Sequence, residues 1–136
     1  MKKIILIFTL FLLSTFAFAN NVKLKITNVK PNEGKVIISI HGSKDSFKNH
    51  TADKIIVLET TASEIETSLE LPEAEFAFSV YQDLNSDGKL NANLVGIPKE
   101  PFGFSNYNGK SVPGNFERHK VLIKQDSEVV INLYNM

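Results

Sequence analysis

The sequence predicts an all-β protein, a two-sheet antiparallel sandwich of about seven strands. Three observations predict this fold. Apolar residues recur at every second position in successive short runs, which is the pattern of strands with one buried face and one wet face. Turn-forming residues separate these runs, and nowhere does a helical period persist for three turns. Strands at this spacing favour a sandwich, with a closed barrel as the competing architecture.

The strands are predicted in the following order. The first run alternates Val22, Leu24 and Ile26 with lysines, and the second places Val36, Ile38 and Ile40 on one face. The third is β-branched, the fourth alternates aliphatic residues with glutamates, and the fifth alternates phenylalanine and valine with smaller or polar residues. The last two repeat the pattern near the C-terminus. The seven runs are 22–26, 35–41, 54–59, 64–71, 75–82, 119–124 and 128–134.

Turn signals delimit these strands. Residues 31–34 read PNEG, Pro72 precedes the fifth run, and 125–127 read QDS, all combinations that favour reversals of the chain. The segment from Ser43 to Asp53 is expected to hold one short helical turn, since it lacks the strand alternation.

The N-terminus reads as a secretory signal peptide. Lys2 and Lys3 precede a short apolar run, and Ala17-Phe18-Ala19 follows as a cleavage site. A membrane helix needs about 20 apolar residues, so an uncleaved anchor is the weaker alternative. We expect residues 1–19 to be removed, leaving residues 20–136 as a single domain. That domain is expected to be secreted or periplasmic in a bacterium, with no stable membrane span after cleavage.

Composition excludes several classes of function. The chain has no cysteine, which rules out thiolate catalysis, cysteine-based zinc sites and iron–sulfur clusters. It carries 15 basic and 15 acidic residues without a basic run, so nucleic acid is not expected as a partner.

Residues 83–91, DLNSDGKLN, resemble a calcium-binding loop. Calcium takes oxygen ligands, and Asp83, Asn85 and Asp87 occupy alternate positions before a glycine. Lys89 would supply its carbonyl and Asn91 a side-chain oxygen. The bidentate glutamate of an EF-hand is missing, so we expect a weak half-site completed by a distant oxygen or by water, with calcium as the possible cofactor. The alternative is a plain polar turn whose side chains bond their own backbone.

The segment 97–117 is long, rich in proline and glycine, and aromatic. Structureless loops of this length are uncommon in compact domains, so we expect an ordered excursion. In one interpretation its phenylalanines plug one end of the sandwich. In the other, Phe104 and Tyr107 form a stacking shelf for a ligand, with Asn106 and Asn108 donating hydrogen bonds.

Several of these residues occur together in a recognisable order. Tyr81-Gln82-Asp83, Asn85 and Asp87-Gly88 are followed by GIPKEPFGFSN at 96–106. In this the chain resembles a secreted bacterial family, domain of unknown function 2141. The resemblance implies an exported β-sandwich similar to immunoglobulin-like or prealbumin-like modules, and it implies no established reaction.

No catalytic motif stands out in the sequence, and no catalytic residue is predicted. The three histidines have no zinc-binding spacing, and nucleophile-elbow and phosphate-loop patterns are absent. We therefore expect a non-enzymatic exported binding or accessory module whose partner is an unidentified protein or carbohydrate. The alternatives are a hydrolase that uses His41 or His119 at a sheet surface, and a structural envelope protein that binds partners by its edge strands.

Overall fold

The structure is a computed structural model that describes residues 19–90, 94 and 98–136. The predicted signal peptide lies outside the described residues except for Ala19, and so does Asn91 of the predicted calcium loop. No helix within the described part of the chain is long and apolar enough to span a membrane.

The described residues form eight strands and two short helices. The strands are β1 (Ala19–Thr27), β2 (Lys35–His41), β3 (Lys54–Glu59), β4 (Ile65–Pro72), β5 (Glu75–Asp83), β6 (Phe102–Phe104), β7 (Lys120–Leu122) and β8 (Ser127–Asn132). The helices are α1 (Lys44–Lys48) and α2 (Phe116–His119). Each of the seven predicted runs contains a strand, and α1 confirms the helical turn expected between Ser43 and Asp53. Ser43 begins that helix by accepting a hydrogen bond from the Ser46 backbone N–H.

The strands are arranged in two sheets. One has three strands in the order β4-β1-β8, and the other has five, in the order β3-β2-β5-β6 with β7 also pairing with β5. The two-sheet all-β prediction is confirmed. A single bridge, between Phe102 and Tyr134, links the sheets at one edge. Within the described residues no pairing joins β3 to β4 at the opposite edge, so the closed barrel is not formed.

Two details of the predicted fold are wrong. β1 pairs with β8 in parallel, so the three-stranded sheet is mixed rather than antiparallel. A period of two marks a strand without giving its direction, because side chains alternate in the same way in both arrangements. The eighth strand, β6, lies inside the segment expected to be a loop. It is three residues long with a central glycine, too short to show alternation.

The core lies between the two sheets. Alternate residues of β1, β2, β5 and β8 point inward and are almost fully buried, among them Leu24, Ile38, Phe78 and Ile131. Burying an aliphatic or phenyl side chain stabilises the fold by about 1.5–3 kcal/mol. The residues between them, including Ser39, Ser79 and Tyr81, therefore lie on the outer face of the five-stranded sheet.

Candidate functional site

The end of β5 meets the segment that leads into β6. The antiparallel register pairs Tyr81 with Phe102. The backbone N–H of Gln82 donates to the carbonyl of Pro101 at 2.9 Å, so the pairing continues past the end of β6. The next step along this register sets Asp83 opposite Glu100 on the outer face. Both side chains are 4 % exposed.

Three carboxylates converge at this point, and we call Asp83, Asp87 and Glu100 the acidic site. One oxygen from each lies within 4.8 Å of the others. Calcium binds oxygen at 2.3–2.6 Å, so two ligands of one ion stand no more than about 5 Å apart. The spacing of the acidic site therefore fits a single calcium ion.

The loop that carries Asp83 and Asp87 is also held by its own hydrogen bonds. The two oxygens of Asp83 accept the backbone N–H groups of Asp87 and Gly88 at 3.2 and 2.8 Å. Asp87 Oδ1 accepts the N–H of Lys89 at 2.9 Å, and Oδ2 accepts from the Asn85 amide at 3.3 Å. These are the bonds of the plain polar turn. A carboxylate has about four lone-pair sites, so the two hydrogen bonds that Asp83 accepts leave it capacity for a cation.

Of the predicted metal ligands, the structure brings Asp83 and Asp87 into the acidic site. Asn85 and Lys89 lie on the same exposed loop and bond to Asp87. Glu100, whose Oε1 accepts the Leu84 backbone N–H at 3.1 Å, was not identified as a ligand from the sequence. Glu100 could have been found from the strand register, because a strand at 102–104 paired with β5 places Glu100 opposite Asp83.

A second feature occupies the outer face of the five-stranded sheet, between the strands and the segment after β6. It is a cavity of about 610 Å³, which we call the outer-face pocket. Its volume lies within the range of small-molecule sites, about 300–1,000 Å³. Its lining residues are Ser39, His41, Phe47, His50, Ser79, Val80, Tyr81, Leu90, Phe102, Phe104, Val112, Pro113 and Gly114.

Polar side chains form part of the lining of the pocket. Ser79 Oγ lies 3.4 Å from His41 Nε2, and His41 Nδ1 lies 3.3 Å from Ser46 Oγ. Ser46 Oγ also donates to Asp53 Oδ2 at 3.3 Å. Burial lowers the pKa of His41, which favours the neutral imidazole. The histidine is thus linked to a carboxylate only through the hydroxyl of Ser46.

Tyr81 lies between the two features. Its ring lines the outer-face pocket, two residues before Asp83. Its pKa is raised by burial and then by the charges of Asp83, Glu100 and Asp87. The acidic site and the pocket therefore share one end of the sheet, and the electric field of the carboxylates reaches the phenol.

The residues predicted to form a ligand shelf have different environments. Tyr107 is 9 % exposed, and its hydroxyl donates to the Ser111 carbonyl at 2.6 Å. Asn106 donates to the Lys120 carbonyl, and Asn108 accepts the Lys110 N–H. Phe104 is half-buried and lines the outer-face pocket. Tyr107, Asn106 and Asn108 therefore each make a hydrogen bond to the backbone of the chain, and Phe104 is the one of the four that lines the outer-face pocket.

His119 holds the same segment from beneath. It is fully buried, its Nδ1 lies 2.9 Å from the Ser105 carbonyl, and its Nε2 accepts the Gly114 N–H at 2.9 Å. Its ring stacks on Phe104 with centroids 4.8 Å apart. Burial lowers its pKa. Both nitrogens are occupied by the backbone, so His119 cannot serve as the base of a hydrolase.

One comparison with known proteins gives a match. A family model described as an uncharacterized protein conserved in bacteria (DUF2141) matches residues 24–132. That span covers both sheets, the acidic site and the outer-face pocket. No curated protein and no solved structure matches the chain.

Proposed function

Since the chain belongs to the family of uncharacterized proteins conserved in bacteria (DUF2141), whose description names no activity, we propose a function from its own geometry. The protein is an exported, non-enzymatic binding or accessory module that holds a calcium ion at the junction of β5 and β6. The observation that carries this proposal is the position of Glu100. It adds a third carboxylate, from a separate segment, to the two of the polar loop.

A third carboxylate changes what the loop can do. Two carboxylates within one turn are satisfied by backbone N–H groups, as Asp83 is. Three carboxylates within 4.8 Å repel one another, and a divalent cation between them relieves that repulsion. Asn85 and the Lys89 carbonyl are further oxygen donors on the same loop, so the set suits a hard cation.

Calcium at this site would stabilise the junction of the two segments. Sites in extracellular modules bind calcium with Kd of about 0.1–1 mM, which matches the concentrations met outside the cell. At 1 mM calcium, a site with a Kd of about 0.1 mM raises the free energy of unfolding by about 1.4 kcal/mol. The ion would join the end of β5 to the start of β6.

The test is calorimetric titration of the processed protein with calcium chloride, together with thermal melting with and without 5 mM calcium. We expect binding in the range of about 0.1–1 mM and a rise in melting temperature of several degrees.

Glu100→Gln keeps an oxygen that can accept the Leu84 N–H and removes the charge, so it should abolish most of the shift. The matched control, exposed Glu73→Gln, should keep it. Absence of both heat and melting shift in the unsubstituted protein would end the calcium proposal.

Other parts of the proposal rest on the sequence. Export to the periplasm or medium is supported by the signal peptide pattern at residues 1–19. Similarity of the sandwich to immunoglobulin-like or prealbumin-like modules is supported by its two packed sheets. A protein or carbohydrate partner is supported by the aromatic side chains of segment 97–117, a type of surface that suits stacking against a ligand. Exposed Ile55 and Val57 on edge strand β3 suit an interaction with an envelope partner.

A hydrolase is the second candidate, and one observation favours it. His41 Nε2 faces Ser79 Oγ within a cavity, and Ser46 links the other nitrogen to Asp53. In such a site the imidazole would accept the serine proton during attack on an ester. The 3.4 Å separation is at the limit of a hydrogen bond, which makes this the weaker candidate. Covalent labelling of Ser79 by a fluorophosphonate would favour it over the binding module.

A further inference from the structure

We propose that the outer-face pocket is a binding site for an uncharged, mainly apolar small molecule that carries aromatic or other flat rings. This inference is independent of the calcium proposal, because none of its steps uses the acidic site. It rests on the chemistry of the lining, on hydroxyl groups that have no hydrogen-bond partner among the described residues, and on apolar side chains exposed at the rim.

The walls of the pocket are built largely from rings. Phe47 comes from α1, Phe102 and Phe104 from β6, and Tyr81 from β5. Phe47 and Phe104 meet edge to face with centroids 6.1 Å apart, and Phe102 meets Phe104 at the same distance. The rings come from α1, β5 and β6 and meet edge to face, so they line a cavity rather than forming a flat stack. Rings in this arrangement favour edge or face contact with a flat ligand.

The lining carries no permanently charged side chain, and its titratable groups are His41, His50 and Tyr81. Among the described residues that line the pocket there is no aspartate, glutamate, lysine or arginine. Burial lowers the pKa of His41, so its imidazole is neutral at neutral pH. A charged ligand would leave water without gaining a partner of opposite charge, which is strongly unfavourable. The pocket disfavours anions most, because the carboxylates of the acidic site also act on Tyr81 in its wall.

Two hydroxyl groups give the pocket its specificity. The side chains of Ser39 and Tyr81 line it, and neither makes a hydrogen bond to any described residue. Each can donate one hydrogen bond and accept others. A few polar groups on an apolar wall are the usual means by which a pocket fixes the orientation of its ligand. The ligand would thus bear one or two hydroxyl, carbonyl or ether oxygens.

The rim of the pocket exposes apolar surface. Leu90 is 41 % exposed and Val112 is 79 % exposed, and both line the cavity. Each square ångström of apolar surface removed from water contributes about 25 cal/mol. A ligand that fills the cavity would cover these side chains as well as the rings, and this provides the driving force for binding.

The experiment compares two fluorescent probes that share one ring skeleton. N-Phenyl-1-naphthylamine is neutral, and 8-anilino-1-naphthalenesulfonate is the same skeleton with a sulfonate. Both are titrated into the processed protein with a calcium chelator present, so that the outcome does not depend on the acidic site. We expect the neutral probe to bind at one site, about tenfold or more tightly than the sulfonate. Equal binding of the two probes, or no binding of the neutral one, would overturn the proposal.

Variants then locate the binding site. Val112→Asp places a charge at the rim where the native side chain is exposed, so the fold should be unaffected and affinity for the neutral probe should fall about tenfold. Val130→Asp makes the same change at an exposed position of β8 on the other sheet, and should leave affinity within a factor of about two. Ser39→Phe fills the floor of the cavity and should also remove binding. If Val112→Asp and Ser39→Phe, both folded by circular dichroism, bind the probe as the native protein does, the pocket is not the site.

Discussion

The outer face of the three-stranded sheet is left to water, whereas the outer face of the five-stranded sheet is covered by the chain over β2 and β5, and is exposed at Ile55 and Val57 of edge strand β3. On the first, Lys23 pairs with Glu66 at 3.3 Å and Lys25 with Glu64 at 3.1 Å. Charged side chains at alternate positions are what a solvated strand face requires. The charged residues of this face are therefore explained by its contact with water.

The second outer face is built from different residues. In its covered part, serine, histidine and tyrosine stand where the first face has lysine and glutamate, and α1, α2 and the segment after β6 lie above them. A ring cluster joins this cover to the sheet, with Phe47 contacting both Phe104 and Phe116. Such a cover makes a second apolar centre outside the sandwich core, and leaves a cavity between cover and sheet.

The comparison indicates where function lies in this fold. Both candidate sites, the acidic site and the outer-face pocket, belong to the covered face. A covered face can exclude water and fix side chains from distant segments, whereas a solvated face offers only mobile charges. The following predictions test whether the cover is as tightly built as its hydrogen bonds indicate.

The largest effect is expected from removing the central side chain of the cover. His119→Ala deletes a buried ring and leaves the Ser105 carbonyl and Gly114 N–H without their partner. Loss of packing and of two buried hydrogen bonds should lower the free energy of unfolding by about 2–4 kcal/mol. Urea denaturation followed by circular dichroism measures this change.

The matched variant on the solvated face is Lys25→Ala, which breaks an exposed ion pair. It should leave the urea midpoint almost unchanged, because exposed ion pairs contribute little. Equal losses for the two variants would show that the two outer faces do not differ in the way proposed.

An intermediate effect is expected as the difference in stability between two substitutions at glycines that share one backbone conformation. Gly88 in the calcium loop has φ +75°, and Gly109 in the cover has φ +74°. A Cβ on Gly88 would meet no atom of the described residues within 4 Å, whereas one on Gly109 would overlap the ring of Tyr134. Gly88→Ala should cost about 1 kcal/mol for the left-handed backbone. Gly109→Ala should cost about 1–3 kcal/mol more.

Thermal melting of the two alanine variants measures this difference directly. A larger loss for Gly88→Ala than for Gly109→Ala would contradict the close packing of the cover against Tyr134.

The smallest effect is expected from pH. Burial lowers the pKa of His119 and of His41, while in the unfolded chain both titrate near 6.5. Below about pH 6.5 the unfolded state therefore binds more protons than the folded state. Stability should fall as pH drops below that value and level off once the folded histidines also protonate.

Melting curves between pH 7.5 and 5 check this slope. Glu117 titrates outside the window, since the hydrogen bonds and charges of Lys120 and Lys44 lower its pKa to about 2. His41→Gln should remove part of the slope. A melting temperature that is constant across the window, or that rises on acidification, would contradict neutral buried histidines.

Individual residues show how far sequence reasoning reaches. The alternation in 22–26 and 35–41 predicted which side chains form the core, because a strand has only two faces and one must be apolar. The spacing of Asp83, Asn85 and Asp87 predicted a loop of converging oxygens. Glu100 could not be assigned in the same way, since it depends on a pairing between β5 and a three-residue strand. His119 fell in a run that alternates like a strand, and only the fold shows it as the last residue of α2.

The amino-acid sequence by itself determined seven of the eight described strands, the buried face of those that alternate, and the polar loop at the end of β5. These features depend on interactions between residues that are close in sequence, so the composition and the alternation of apolar residues are enough to predict them. The tertiary structure alone decided the parallel pairing of β1 with β8, the arrival of Glu100 beside Asp83, and the cavity beneath the cover. Each of these depends on contacts between segments far apart in sequence. Loop-closure entropy and packing decide which of such contacts form, and neither produces a pattern in the local sequence.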